Sequence, residues 1–301
     1  MASNRQIAYL GMGIMGAAMA ANLARAGFSV KVWNRTAGRA GLASAVEAGA
    51  VACPSLAETV NGAEAVFLCL GEEADLQDVV FRGDGVAARA SAGTIIVDMS
   101  TTGPGCARES AAKLAEHNMA FLDAPVTGGD VGARNGTLTI MVGGDQSAFD
   151  KCMPFFQAMG KTIKHCGPVG SGQSLKLCNQ VLCAVNMVAV CEAFQLAESL
   201  GIDPNLVVEV CGSGAAASWA LSNLGPRIIN EDFKPGFKIS HMMKDLRLVR
   251  ESLNSITRNF PGTKLAEEMF FVCEKLAGTA GGDQGTQAMM LAYKESNNAA
   301  V

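Results

Sequence analysis

Short runs of β-forming residues alternate with alanine-rich helical segments through the first half of the chain, and few folds accept that order. The runs IAYL (7–10), VKVW (30–33), AVFLCL (65–70) and TIIVDM (94–99) are separated by segments of helical spacing at 14–26, 36–48, 74–81 and 104–117. A strand that returns through a helix of this length re-enters the sheet from the same end, so the pattern predicts βαβ units and a parallel sheet. Two further runs, MAFLDA (119–124) and TLTIMVGG (137–144), precede an expected helix at 146–159, and TIKHC (162–166) closes this half. Beyond Gly167 the character changes: a long helix is expected at 171–200, then more helical segments with no convincing strand. The reading is an α/β domain over 1–168 followed by an all-helical domain over 169–301, joined by the long helix.

Composition removes several function classes. With 49% hydrophobic and 17% charged residues the chain is globular in type. A formal charge of -4 argues against a nucleic-acid partner, which needs a basic face. The ten cysteines form no CxxC pair and mostly sit in apolar runs, as small buried hydrophobes of a reducing compartment do. Three histidines, with His165 directly beside Cys166, give no chelating spacing, so no metal site is expected. No basic stretch followed by an apolar one opens the chain, and VLCAVNMVAVC (181–191) is short and broken by Asn186. The expectation is a cytoplasmic protein with no membrane partner.

The first β-run leads into LGMGIMGAAMAANL, where Gly11, Gly13 and Gly16 are spaced GxGxxG. Glycines so placed permit a tight turn, let backbone amides approach a pyrophosphate, and allow close helix packing, with the phosphate on the helix N-terminus. Because the motif follows a strand and opens a helix, the segment Gly11, Met12, Gly13, Ile14, Met15, Gly16 reads as a dinucleotide site. The second β-run ends in VWNRT. Asn34 stands where a ribose-binding carboxylate belongs in an NAD site, and Arg35 follows; a guanidinium there suits the 2′-phosphate of NADP(H), with Thr36 adding a hydroxyl or a helix cap.

Four separated motifs, GMGIMGAAMAANL (11–23), DAPVTGG (123–129), GSGQSLKLCNQ (170–180) and KDLRL (244–248), resemble the β-hydroxyacid dehydrogenases over nearly the whole chain. VWNRT together with the KDLRL region looks most like the glyoxylate and succinic semialdehyde reductase branch. The resemblance implies a Rossmann domain, a helical second domain and an active site in the cleft between them. It implies a small aldehyde or hydroxy acid as substrate, and a homodimer or homotetramer formed through the helical domain. It places Leu70 and Thr101 on the cofactor side, and Phe237, Lys244 and Asp245 near cofactor and substrate. Thr127, Gly128 and Gly129 offer a hydroxyl and unobstructed amides for a carboxylate; where family members commonly carry serine, this chain has Thr127, whose methyl narrows the pocket. By themselves, DAPVTGG is an ordinary glycine turn and the KD pair an exposed helix face.

Within the third motif, Lys176 enters an otherwise apolar helix, a costly place for an ammonium. On a wheel of about 100° per residue, Lys176, Asn179, Gln180, Cys183 and Asn186 fall within about 120° of one another, a short polar stripe. A lysine in the first turns can also simply snorkel to solvent. The resemblance instead makes Lys176 the proton donor to a carbonyl oxygen receiving hydride, with Asn179 orienting its ammonium. Because an ordinary lysine is protonated at neutral pH, reduction is the favoured direction. The leading reading is an NADPH-dependent reductase of glyoxylate or succinic semialdehyde. The alternatives are a 3-hydroxyisobutyrate or tartronate semialdehyde dehydrogenase of the same fold and a nonenzymatic cofactor-binding relative.

Overall fold

The computed structural model describes residues 5–36, 38–254, 258–276 and 278–298. The residues group into two compact units, Met1–Lys176 and Leu177–Val301.

The first unit contains strands β1 (Gln6–Leu10), β2 (Ser29–Trp33), β3 (Val51–Ala52), β4 (Ala65–Leu68), β5 (Ile95–Asp98), β6 (Ala120–Asp123), β7 (Val126–Thr127), β8 (Leu138–Gly144) and β9 (Gly160–Gly167). Helices α1 (Ile14–Arg25), α2 (Ala40–Glu47), α3 (Leu56–Val60), α4 (Glu73–Phe81), α5 (Val86–Arg89), α6 (Gly103–Ala115), α7 (Gly129–Asn135) and α8 (Gln146–Met159) lie between them. The sheet order is β3-β2-β1-β4-β5-β6-β8-β7, with β9 on β8. Strands β1 to β6 pair in parallel, as the alternation predicts. The order reverses between β1 and β4, the switch point where ligands of such sheets gather. At the far edge the parallel expectation fails, because β8 pairs antiparallel with both β6 and β7. The two-residue β7 and the short α7 sit between β6 and β8, and they return the chain without a full crossover.

The central strands β1, β4, β5 and β6 read as nearly unbroken apolar runs because both faces of the sheet are covered there. Ile7, Tyr9, Phe67 and Val97 join one core cluster with α1 and α8; Ala8, Leu10, Val66, Leu68 and Ile96 join the other. Successive residues of a strand thus serve opposite layers. Tyr9 and Phe67 stack across β1 and β4 with ring centres 5.9 Å apart.

The second unit is helical. It holds most of α9 (Ser171–Ser199), then α10 (Pro204–Leu206), α11 (Gly225–Ile229), α12 (Ile239–Asn254), α13 (Pro261–Lys275) and α14 (Met289–Asn298). Single π-turns occupy Val207–Cys211 and Ala220–Leu224. Among its described residues the sole ladder pairing is the isolated bridge Lys238–Gly285. By length and composition α9 is apolar enough to cross a membrane. That apolarity has a use in the unit's own core, where Ala184, Met187, Val188, Cys191 and Phe194 are buried with Leu246 and Phe270.

Candidate active site

The glycine turn after β1 has the geometry a dinucleotide requires. Gly11 has φ +96°, and a Cβ there would stand 2.2 Å from the carbonyl oxygen of Cys69; a Cβ on Gly16 would stand 2.0 Å from that of Gly11. Those two glycines are demanded by the turn and by helix-on-strand packing. Gly13 differs: nothing lies within 4 Å of its Cβ position, and it is the N-cap of α1. The first intrahelical bond of α1 runs from Ala17 N to Gly13 O, which leaves the amides of Ile14, Met15 and Gly16 without partners in the helix. With no acidic residue in that turn, an anion is welcome there. These features fit a nicotinamide dinucleotide. The Met12 side chain is buried in the core, whereas Ile14 is 63% exposed.

The VWNRT loop is more heavily used than its sequence suggests. Asn34 Oδ1 accepts from Met12 N at 2.8 Å and its Nδ2 donates to the Thr36 carbonyl at 2.8 Å, so Asn34 braces the glycine turn. Arg35 is 58% exposed at its side chain and pairs with Asp75 (2.8 Å) and, more loosely, Asp78 (3.8 Å), both on α4. Thr36 is exposed.

Further along the same sheet edge, two buried aspartates end adjacent strands, Asp98 on β5 and Asp123 on β6, in register with each other. Asp98 accepts from Ser100 N and from the Thr102 hydroxyl, each at 2.9 Å. Burial nevertheless pushes its carboxyl up to about 6, against those hydrogen bonds and with help from the charge of Asp123. Burial raises Asp123 as well, opposed by the N–H groups of Gly170 (2.7 Å) and Gln173 (2.8 Å) at the start of α9. Ser100 Oγ accepts from Leu70 N at 2.8 Å, which ties the Leu70 loop to the half-buried Thr101 loop. Asp98 lies outside the four motifs, and Asp123 opens DAPVTGG without being singled out there; the signal for both was an acid closing an apolar run, in TIIVDM and AFLDA.

Thr127 ends β7, half-buried and paired with Thr139 of β8. Gly128 (φ +125°) and Gly129 (φ +65°) follow in left-handed conformations and open α7. The predicted carboxylate cradle is therefore a strand end beside a helix start, not a free turn.

Lys176 lies in the second turn of α9 and is 6% exposed. A snorkelling lysine would show far more surface, so that reading fails. The helix start is pressed onto the sheet: a Cβ on Gly172 would stand 2.3 Å from Met141 O and 2.7 Å from Asp123 O. In the helical unit, Asn179 turns its amide nitrogen to Gln180 Oε1 (2.8 Å) and Cys183 Sγ (3.4 Å). Gln180, 2% exposed, donates to Asp245, and Lys244 Nζ lies 3.1 Å from the other oxygen of that carboxylate. The stripe on α9 is thus bonded along its own length and onto α12. Gln180 is a further polar participant, buried with Asp245. Phe237 packs edge-on against His241, with ring centres 5.8 Å apart. Among the described residues no group of three or more His, Cys, Asp or Glu is gathered for a metal ion.

A dinucleotide turn at the switch point of a doubly wound sheet, with the start of α9 bonded to the same edge, suits a nicotinamide-dependent oxidoreductase. Residues 6–167 match the model of the NAD-binding domain of 6-phosphogluconate dehydrogenase, and residues 170–293 match that of the NAD-binding region of NADP-dependent 3-hydroxyisobutyrate dehydrogenase. An uncharacterized oxidoreductase of Synechocystis is 47% identical over 97% of this chain and 99% of its own length. The 2-hydroxy-3-oxopropionate reductase of Escherichia coli is 36% identical over 91% of this chain and 93% of its own. The solved structure of Mycobacterium tuberculosis 3-hydroxyisobutyrate dehydrogenase with L-serine superposes with a TM-score of 0.85 at 33% identity, covering 97% of this chain and 99% of that one. The chain belongs to the β-hydroxyacid dehydrogenase family and is an NAD(P)-dependent oxidoreductase acting on hydroxyl groups or the corresponding carbonyls.

Proposed function

We propose that the protein is an NADPH-dependent reductase of short aldehyde acids, glyoxylate or succinic semialdehyde. The observation that carries the reading is Lys176, buried in the second turn of α9 where Asp123 and Gln173 tie that helix to the sheet edge. The bound cofactor supplies a hydride to the aldehyde carbon. Lys176 hydrogen-bonds the carbonyl oxygen as negative charge develops on it and delivers the proton that makes it a hydroxyl. Thr127 and the amides of Gly128 and Gly129 hold the carboxylate, and the methyl of Thr127 favours slim substrates.

The loop after β2 supports NADPH. Asn34 brings no carboxylate to repel a 2′-phosphate. The Arg35 guanidinium is exposed and Asp75 only half-buried, and pairs open to solvent contribute only about 0–1 kcal/mol, so a phosphate dianion can draw the guanidinium away. Arg39, exposed at the N-cap of α2, adds a second cation to the loop. Lys244 approaches the cofactor on this reading, and Asp245 with Gln180 fixes it. The similarity to a 2-hydroxy-3-oxopropionate reductase favours a second reading, tartronate semialdehyde as the aldehyde acid. Steady-state kinetics with a panel of aldehyde acids against NADPH and NADH separates them. We expect the highest kcat/KM for glyoxylate or succinic semialdehyde with NADPH. A preference for oxidising 3-hydroxyisobutyrate with NAD would overturn the assignment.

Association through the helical unit belongs to the same reading. Leu182 (65% exposed), Ala189 and Leu196 (61%) recur every seven residues along α9, the spacing of a seam that another helix covers. The expected dimer or tetramer is read by sedimentation; Leu182→Glu with Leu196→Glu should shift it to monomer. An unchanged mass would remove this face from the interface.

A further inference from the structure

Gln173 is wholly buried and uses both ends of its side-chain amide. Its Oε1 accepts from the N–H groups of Thr102 (3.1 Å) and Gly103 (3.0 Å), and its Nε2 donates to the Ser100 carbonyl at 2.8 Å. Those amides open α6, and Thr102 gives that helix no side-chain cap of its own. The cap therefore arrives from α9. The backbone of Gln173 is held in turn, its N–H donating to Asp123 Oδ2 at 2.8 Å. Thr101 stands inside the segment that Gln173 grips, and Lys176 stands one helical turn beyond Gln173 on α9. A single amide thus bridges the loop assigned to the cofactor side and the turn that carries the proton donor.

We propose that Gln173 is a positioning residue for the reduction, fixing the offset between the Thr101 loop and the Lys176 amine. The inference rests on the reductase reading above. Hydride and proton must reach two atoms of one carbonyl bond, and a misplacement of about 1 Å costs roughly a hundredfold in rate. The position needs a donor at one end and an acceptor at the other. An alkyl side chain leaves the Ser100 carbonyl and two N–H groups buried without partners, and an ionised carboxylate restores only the acceptor. A protonated carboxylic acid has both. Gln173→Glu therefore places a titratable mimic of the amide in a network that already contains the carboxylates of Asp98 and Asp123, whose charge favours its protonated form.

The test compares wild type, Gln173→Ala and Gln173→Glu as full-length proteins. It reads melting temperature, NADPH affinity by fluorescence, kcat with glyoxylate and with succinic semialdehyde, and the isotope effect from NADPH deuterated at the transferred hydrogen. Gln173→Ala should bind NADPH within about threefold of wild type, lose about a hundredfold in kcat, and show an enlarged isotope effect as chemistry becomes limiting. Gln173→Glu should regain at least about tenfold of kcat relative to wild type as pH falls from about 8 to about 6. Should Gln173→Ala fail to fold, this pH series decides, and no recovery overturns the proposal. A Gln173→Ala enzyme with kcat within about threefold of wild type overturns it too. So does parallel loss of stability, affinity and rate with an unchanged isotope effect, which marks a purely structural cap. Wild type that reduces no aldehyde acid overturns the functional reading and this inference together; an active wild type with an indifferent Gln173→Ala variant overturns this inference alone.

Discussion

After β1 the chain turns on residues that lack side chains; after β5 and β6 it turns on side chains that are buried and fully bonded. At the first place Gly11 and Gly16 let backbone approach backbone more closely than any Cβ allows, and Gly13 leaves open space where a phosphate can sit. At the second, Asp98, Asp123 and Gln173 fill the interior with polar groups that pin the α6 and α9 starts to the sheet. Both regions lie along one edge of one sheet. The first shapes room for a ligand, and the second fixes the start of the helix that carries Lys176. At the second, removal of a polar atom leaves buried partners unpaired; at the first, addition of a methyl at Gly11 or Gly16 drives it into backbone.

The contrast is tested hardest at Lys176. Lys176→Met keeps the volume and helix propensity, so fold and NADPH affinity should survive. Loss of both the proton donor and the facing cation should lower kcat by at least about a thousandfold. Turnover and affinity measured on the same folded sample decide it, and a rate within about tenfold of wild type would mean the proton comes from elsewhere. Arginine should not rescue, since a guanidinium does not release a proton near neutral pH.

Gly16→Ala probes the other region by adding one methyl. It would meet Gly11 O at 2.0 Å, so the turn must open, and NADPH affinity should fall by about a hundredfold, with a destabilisation of about 1–3 kcal/mol. Gly13→Ala, with nothing within 4 Å of its Cβ, should lose no more than about 1 kcal/mol, the cost of alanine at an N-cap, and chiefly weaken cofactor binding. Equal melting temperatures for the two variants would erase the distinction drawn between these glycines.

Arg35→Asp should raise KM for NADPH by about ten- to a hundredfold, the worth of a charge-assisted hydrogen bond, while NADH changes little or improves. Wild type that uses both cofactors equally would strip Arg35 of that role.

The buried carboxylates make a smaller prediction in pH. Asp98 titrates at about 6 in the folded protein, above its unfolded value near 3.8. Between those values the folded state binds the extra proton, so Asp98's contribution is full below the lower value and is lost as pH rises through about 6, on the order of 2–3 kcal/mol. Chemical denaturation from about pH 4 to about pH 6 should show stability declining, and Asp98→Asn should flatten that slope. A slope unchanged in the variant would assign it to another group. The mildest change is Thr127→Ser, which keeps the hydroxyl and should alter KM for the acid by no more than about twofold, against roughly tenfold for Thr127→Ala. Equal losses with an uncharged aldehyde would make Thr127 structural.

Much of this was legible in the chain itself. The alternation of runs placed β1, β2, β4, β5, β6, β8 and β9 and their main helices within a few residues; the central strands stood out because a strand buried on both faces must be apolar. The glycine motif was legible because its three glycines fall within six consecutive residues, although the backbone that Gly11 must clear is that of Cys69. The short elements β3, α3, α5, β7 and α7 escaped, being too brief for periodicity to register. The antiparallel edge escaped with them, since it follows from β7 and α7 replacing a crossover.

Sequence alone determined the two-part organisation, the dinucleotide turn and the presence of a lysine where an apolar helix should not have one. Only the tertiary structure decided what that lysine's helix is bound to. Gln173 bonds to Ser100, Thr102 and Gly103 some 70 residues away, Asp123 bonds to Gly170 and Gln173, and Asn34 braces Met12 across two strands. Arg35, which reads as an open phosphate partner, is found paired to Asp75 and Asp78 of another helix. The physical reason is one of range. Backbone conformation and hydrophobic period are set by neighbours along the chain, whereas a buried polar atom must find its partner wherever folding brings one within about 3 Å.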